Sequence, residues 1–148
     1  MTAVQRSGAE LHSAKDELAE ALFGLQKAID TRDWDTVRAT FADDGSGYGA
    51  TGLEDTIAKM RAHLDGVGPT QHLIGNLRVE FTEGGARTLA YARVHHVGAG
   101  PMAGSFFECM GEYDDRWVHT SDGWRLALRT FDMQITLGDF AVLRGSDD

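Results

Sequence analysis

The side chains able to do acid–base chemistry are unevenly spread. Histidines occur at positions 12, 63, 72, 95, 96 and 119. His12 and His63 fall on expected helix surfaces or ends, and His119 sits at a turn. His72 opens a strand just past a Gly-Pro loop, while His95 and His96 lie at the far end of the next strand. Imidazole titrates near neutral pH, so two of them at hairpin distance could take and deliver protons on one small molecule. A hairpin about residues 84–85 sets His72 opposite residues 96–97, beside His96. Strand alternation then separates the adjacent pair. His96 shares a face with Ala90, Ala92 and Val94, small apolar residues suited to line a cavity, whereas His95 goes with Leu89, Tyr91 and Arg93. His96 is therefore expected to face inward, a choice that a bulge would reverse.

The carboxylates form two groups. Asp30, Asp33 and Asp35 crowd one interhelical turn. Asp33 reads as a helix cap, while Asp30 follows the apolar Ile29 and borders a buried stripe. Glu108, Met110, Glu112 and Asp114 share one face of a long strand, and acids facing inward there demand partners such as Arg116, Arg125 or Arg129. Two histidines with Asp30 or Glu108 also resemble a facial metal triad, but no spacing requires one and no metal is expected. Cys109 has no partner cysteine; in the run FFECM beside Glu108 it reads as a buried, inert thiol. The phosphate-cradling GxxxxGKS, the dinucleotide glycine pattern, the GxSxG elbow and paired zinc cysteines are all missing from the chain, and no organic cofactor is expected.

These residues need a frame to hold them. Leu11, Leu18, Leu22, Leu25 and Ile29 recur as one stripe of a long amphipathic helix ending near Thr31. Asp33 opens a short second helix carrying Trp34, Val37 and Phe41. ADDGSGYGATG, with three glycines in five residues, reads as a loop or short irregular strand around Tyr48. Thr51-Gly-Leu-Glu54 matches a capping box ahead of a third helix with Leu53, Ile57, Met60 and Leu64. From residue 71 the period becomes two. QHLIGNLRVEF, TLAYARVHHV, SFFECMGEYDDRWVHT and WRLALRTFDMQITL read as four antiparallel strands, with a bulge expected at Gly111. Helices followed by strands make an α+β fold, here three helices packed in a curved antiparallel sheet. The open end of such a cone is a natural small-molecule pocket.

The chain's 148 residues fit one domain, with a core at about 11–137 and short tails. Net charge is −9, from 23 Asp and Glu against 14 Lys and Arg, which disfavours nucleic acid and anionic membrane as partners. No apolar run approaches a membrane span, the N-terminus lacks a secretory pattern, and one unpaired cysteine suits the cytoplasm.

AIDTRDWDTVRATFADD, then GPTQHLIGN, then GEYDDRWVHTSDGWRLALRTF resembles the SnoaL-like group of the nuclear transport factor 2-like superfamily over roughly residues 15–135. TQH before a strand, with a late DGW hairpin, looks most like its scytalone dehydratase and bile-acid dehydratase branch. The resemblance implies a cone-shaped α+β barrel and assigns site positions. The family aspartate corresponds to Asp30 and the TQH histidine to His72. The second histidine corresponds to His96, or to His95 if the alignment slips. A pocket tyrosine corresponds to Tyr48 and a polar residue of the third strand to Asp114. Where several dehydratase relatives carry a tyrosine near the end of the first helix, this chain has Leu25 and Ile29. The glycine-rich GSGYGATG also replaces a more regular strand.

The expectation is therefore a dehydratase, isomerase or cyclase, without an organic cofactor, acting on a hydrophobic polyketide-like or aromatic natural-product intermediate. Asp30, His72 and His96 would be catalytic, and Tyr48, Tyr91, His95, Glu108 and Asp114 would contact substrate. Two alternatives accompany it. One is an epoxide-opening hydrolase or cyclase relying on Asp30, Glu108 and Asp114; the other is a non-catalytic ligand-binding module. A homodimer through the outer sheet face, with Tyr113 and Trp117 as aromatic anchors or else as core residues, is also implied by the resemblance.

Overall fold

A computed structural model describes residues 5–144 of the chain. The first helix, α1 (Gly8–Asp30), starts at a capping box in which Ser7 Oγ accepts the Glu10 amide and the Glu10 carboxylate accepts the Ser7 amide. Leu18, Leu22, Leu25 and Ile29 are fully or almost fully buried along one stripe. Each contributes about 1.5–3 kcal/mol by leaving water. Helix α2 (Trp34–Thr40) is capped by Asp33, whose Oδ1 accepts the Thr36 amide at 3.2 Å. Helix α3 (Leu53–Leu64) buries Ile57, Met60 and Leu64. Its expected capping box does not form. Gly52, at φ 89°, is the N-cap and supplies no side-chain bond.

Five strands, not four, make the sheet: β1 (Phe41–Gly47), β2 (Thr70–Thr82), β3 (Gly85–Val97), β4 (Phe106–Thr120) and β5 (Gly123–Gly138), in the order β1-β5-β4-β3-β2. The sheet is mixed, because β1 runs parallel to β5 while the other pairs are antiparallel. Strand β1 contains FADDGSG, whose polar and glycine content hides it from a search for apolar alternation. It survives by pairing with a strand already fixed in the sheet.

The β2–β3 hairpin sets Thr70 opposite His96 and His72 opposite Val94. That is two residues short of the pairing expected from the turn. One residue of the offset lies at the turn, where Thr82 pairs with Gly85, and the other is a one-residue shift between Gly75 and Arg78, where Asn76 adopts φ 49°. The total offset of two preserves parity, so His72 and His96 still share the inner face as diagonal neighbours. The β4 register does break at Met110/Gly111. A Cβ on Gly111 would lie 2.2 Å from the Asp132 carbonyl oxygen, so only glycine lets the two backbones approach this closely.

The helices pack into the concave face of the sheet around Leu18, Leu22, Leu25, Trp117, Trp124 and Leu126. A second apolar cluster, with Ala92, Val94, Phe107, Cys109 and Tyr113, lies toward the open end. The packed part of the chain extends past the expected limit near residue 137. The 3₁₀ segment Phe140–Arg144 inserts Val142 and Leu143 into this second cluster. No helix among the described residues is long and apolar enough to cross a membrane.

Candidate active site

A cavity of about 530 Å³ opens at the wide end of the cone, between the sheet, α3 and the C-terminal 3₁₀ segment. His72 and His96 stand on its β2–β3 wall, and Tyr48, Tyr113 and Arg129 also line it.

Asp30 ends α1 directly behind His72. Its Oδ1 accepts from His72 Nδ1 at 2.6 Å, and its Oδ2 accepts the His72 backbone amide at 3.0 Å. Burial pushes the Asp30 carboxyl upward, but the bonds from the His72 ring and amide and from Thr70 together hold it below the usual range. A carboxylate can only accept, so Nδ1 of His72 carries hydrogen and Nε2 is the nitrogen available to the cavity.

Arg32 supports this pair from outside the cavity. It holds φ at 58°, an uncommon value for a non-glycine residue. Its Nη1 donates to Thr70 Oγ1 at 2.8 Å and to the Ile29 carbonyl at 2.9 Å, and its Nη2 donates to the Gly68 carbonyl at 3.0 Å. Thr70 Oγ1 in turn donates to Asp30 Oδ1 at 3.0 Å. A continuous chain therefore runs from Arg32 through Thr70 and Asp30 to His72. Sequence reasoning did not single out Arg32 or Thr70. The available signal was a cation two residues after Asp30 in a turn crowded with acids.

His96 is 5% exposed, and its Nδ1 donates to the Phe107 carbonyl at 2.9 Å. Burial lowers its pKa to about 4; the carbonyl bond opposes that shift, and the charges of His72 and Arg32 reinforce it. Near neutral pH the ring is thus uncharged, with hydrogen on Nδ1 and a lone pair on Nε2. It can accept a hydrogen bond or a proton there, but in that form it cannot polarise a carbonyl by donation.

The facing wall is held by a buried ion pair. Arg129 and Asp115 are fully enclosed side chains joined bidentately at 2.9 and 2.8 Å. Arg129 Nη1 also donates to Gln26 Oε1 at 2.7 Å and to the Tyr48 hydroxyl at 3.4 Å, and its guanidinium lies 3.9 Å from the Tyr113 ring centre. Burial works against the Arg129 charge, but Asp115 outweighs it and raises the guanidinium well above its ordinary value. Tyr48, at φ 55°, gives its amide to the Arg129 carbonyl, so Arg129 anchors both ends of that residue.

The expected site residues thus divide. His72, His96 and Tyr48 line the cavity, with Asp30 bound behind His72, whereas Tyr91, His95, Glu108 and Asp114 do not line it. Tyr91 is 51% exposed on the opposite face of β3 from Ala90 and Ala92. His95 Nδ1 bonds Glu108 Oε2 at 2.8 Å, and Arg93 also binds Glu108, closing an outer-face ion cluster. Asp114 is bound by Arg87 at 2.7 and 2.9 Å on that same face. The inward acid of β4 is Asp115. The odd positions of this strand, Phe107, Cys109, Tyr113 and Trp117, are the apolar ones and turn inward, taking Asp115 with them. Tyr113 and Trp117 are each 2% exposed and belong to the core rather than to the outer face. Cys109 lines the cavity as a buried thiol, pushed up to about 11 by burial and then by Glu108. No cluster of three or more His, Cys, Asp or Glu able to hold a metal ion occurs among the described residues.

A search of curated proteins finds no match. Among solved structures, the chain is similar to a hexachlorocyclohexane dehydrochlorinase from Novosphingobium barchaimii, with TM-score 0.77, 12% identity, and 90% of this chain and 94% of that chain covered. It is also similar to a candidate scytalone dehydratase from Novosphingobium aromaticivorans, with TM-score 0.77, 18% identity and coverages of 87% and 89%. A protein from Kribbella flavida aligns with TM-score 0.77, 22% identity and coverages of 91% and 99%. At such identities these likenesses establish the fold alone. The SnoaL-like domain model matches residues 11–130, across all three helices and into β5. The chain belongs to the SnoaL-like domain family, within the nuclear transport factor 2-like fold.

Proposed function

We propose that the chain is an acid–base enzyme of the lyase or isomerase type, acting on an apolar small molecule inside the cone. The observation that supports this reading most directly is the 2.6 Å bond between Asp30 and His72 at the wall of a cavity that His96 also lines. Asp30 fixes the His72 tautomer, so Nε2 faces the cavity with a lone pair able to take a proton from substrate and return it. His96, neutral, accepts a hydrogen bond from a substrate hydroxyl or from a water. Tyr48 orients the substrate from the other wall. This division suits dehydration, isomerisation or ring closure of a polyketide-like or aromatic intermediate, using the chain's own side chains as acid and base.

Epoxide opening by Asp30, Glu108 and Asp114 finds no support, since the last two are bound by arginines on the outer face. A homodimer through that outer face would draw on exposed Leu73, Tyr91 and Ile135 rather than on Trp117.

The experiment is turnover on a panel of hydroxylated, carbonyl-bearing aromatic substrates. His72→Ala should lose at least roughly a hundredfold in kcat. Full activity in that variant would remove His72 from the mechanism. Ligand binding without turnover in the wild type would instead favour a binding module.

A further inference from the structure

The charge lining the cavity runs against the charge of the chain. The chain has 23 Asp and Glu against 14 Lys and Arg, yet no Asp or Glu lines this cavity. Its basic side chains are Lys59, His63, His72, His96 and Arg129. The shallower cleft at the β4–β5 turn, by contrast, includes Glu17 and Asp122 in its wall. Three of the five basic groups are bound to residues on other elements of the fold. His72 is bound to Asp30, His96 to the Phe107 carbonyl, and Arg129 to Asp115.

Lys59 and His63 remain, four residues apart on α3 and so on one face of that helix. Lys59 is exposed and forms no ion pair with any described residue. Its ammonium reaches toward the Gly49–Ala50 turn, where a Cβ on Gly49 would lie 3.6 Å from Nζ. Gly49 has φ 77° and no side chain, which keeps the space between α3 and this turn open. His63 gives its Nδ1 to the Lys59 carbonyl at 2.8 Å, fixing the ring beside the lysine. When protonated, it adds a donor at Nε2.

An acidic chain repels anions over most of its surface. An acid-free cavity with an uncommitted ammonium at its rim departs from that pattern and suits an anion. We propose that Lys59, assisted by His63, is a subsite for a carboxylate carried by the ligand. The substrate is then an apolar molecule bearing an acidic group. Its acid end sits at the rim by α3, and its body runs over Met60, Leu64, Phe107 and Phe131 toward His72 and His96. The proposal rests on reading the cavity as the substrate site, but not on any turnover.

A matched pair of probes tests it. Naphthalene-2-carboxylate and naphthalene-2-carboxamide are titrated into the ¹⁵N-labelled protein, and the amide resonances of Val94 and His96 report occupancy of the cavity. In the wild type the carboxylate should bind about twofold to fivefold more tightly than the amide, the size of one partly screened ion pair. Added salt should narrow that gap. Lys59→Arg should keep the gap. Lys59→Glu should close or reverse it while leaving the carboxamide Kd within about twofold. Equal affinities in the wild type, no carboxylate binding at millimolar concentration, or a gap that survives Lys59→Glu would each overturn the subsite. A fully active His72→Ala variant would overturn the acid–base reading instead and leave this result standing.

Discussion

Asp30 grips His72 twice, through the ring nitrogen at 2.6 Å and through the backbone amide at 3.0 Å. One carboxylate therefore fixes both the start of β2 and the orientation of the imidazole it carries. Cutting the ring contact while keeping the side-chain shape separates those two duties. In Asp30→Asn, the amide nitrogen placed where Oδ1 now accepts would force the opposite His72 tautomer or turn the ring. The expected outcome is a fall in kcat of roughly 10²–10⁴-fold with little change in fold, as a wrong tautomer behind an active imidazole gives. Steady-state turnover and the ¹⁵N shifts of the His72 ring check it together. Unchanged turnover with a changed tautomer would contradict the proposed role.

Arg32 is the next test of the same assembly. Its guanidinium secures Thr70 and the Gly68 carbonyl, and Thr70 secures Asp30. Arg32→Gly removes those bonds but relieves the cost of φ 58°, so the losses and gains in stability partly offset each other. Turnover is expected to fall about 10–100-fold, the usual effect of losing a group that orients another. Millimolar guanidinium should restore part of it. Rescue distinguishes positioning from mere destabilisation, because an unstable fold gains nothing from added guanidinium at that concentration.

The helices were legible because a 3.6-residue apolar stripe such as Leu18, Leu22, Leu25 and Ile29 has one interpretation, and the structure buries all four. The placing of His72 and His96 on one face was legible for a related reason. Hairpin geometry brings the two strand ends together, and the offset of one at the turn is joined by a shift of one at Gly75/Arg78, which leaves parity intact. The β4 acids were misread because Glu108, Glu112 and Asp114 drew attention to their own face. The decisive signal was the opposite parity, where Phe107, Cys109, Tyr113 and Trp117 must be buried. Strand β1 was only half legible. Its residues carry little apolar periodicity, and a parallel partner distant in sequence sets its place. The Arg129 network was out of reach for the same reason. It joins α1, the turn after β1, β4 and β5 through Gln26, Tyr48, Asp115 and Arg129, which no local pattern connects.

His96 should make stability depend on pH. Its folded pKa is about 4 against an ordinary 6.5, so the unfolded chain binds the proton more readily. Stability from this group is complete above pH 6.5 and is lost as pH falls toward 4. The full amount is roughly 3 kcal/mol. Asp30, with its carboxyl held below the usual range, loses its contribution at lower pH, so the two windows differ. In His96→Asn the side-chain amide can still donate to the Phe107 carbonyl, but it does not titrate. Urea unfolding at pH 7 and pH 4.5 should show a smaller loss for the variant than for the wild type. Parallel losses would mean that His96 titrates normally in the folded protein.

Arg129 and Asp115 offer the sharpest test of how the far wall is held. Both side chains are fully enclosed, and each is the other's bidentate partner. Removing one leaves a buried charge unmatched. Asp115→Leu and Arg129→Met should therefore each cost about 3–5 kcal/mol in urea unfolding. The double variant should cost less than the sum of the two, because no lone charge remains, so a double-mutant cycle should give a large favourable coupling. Catalysis should respond differently. In the double variant Tyr48 keeps the bond from its amide to the backbone carbonyl of residue 129 but loses the guanidinium beside its hydroxyl. The double variant, though folded, should therefore orient the Tyr48 hydroxyl poorly and show a raised KM. Recovery of stability without recovery of KM would separate the packing duty of the pair from its duty to Tyr48. Simple additivity of the two single costs would show that the charges do not depend on one another as their geometry requires.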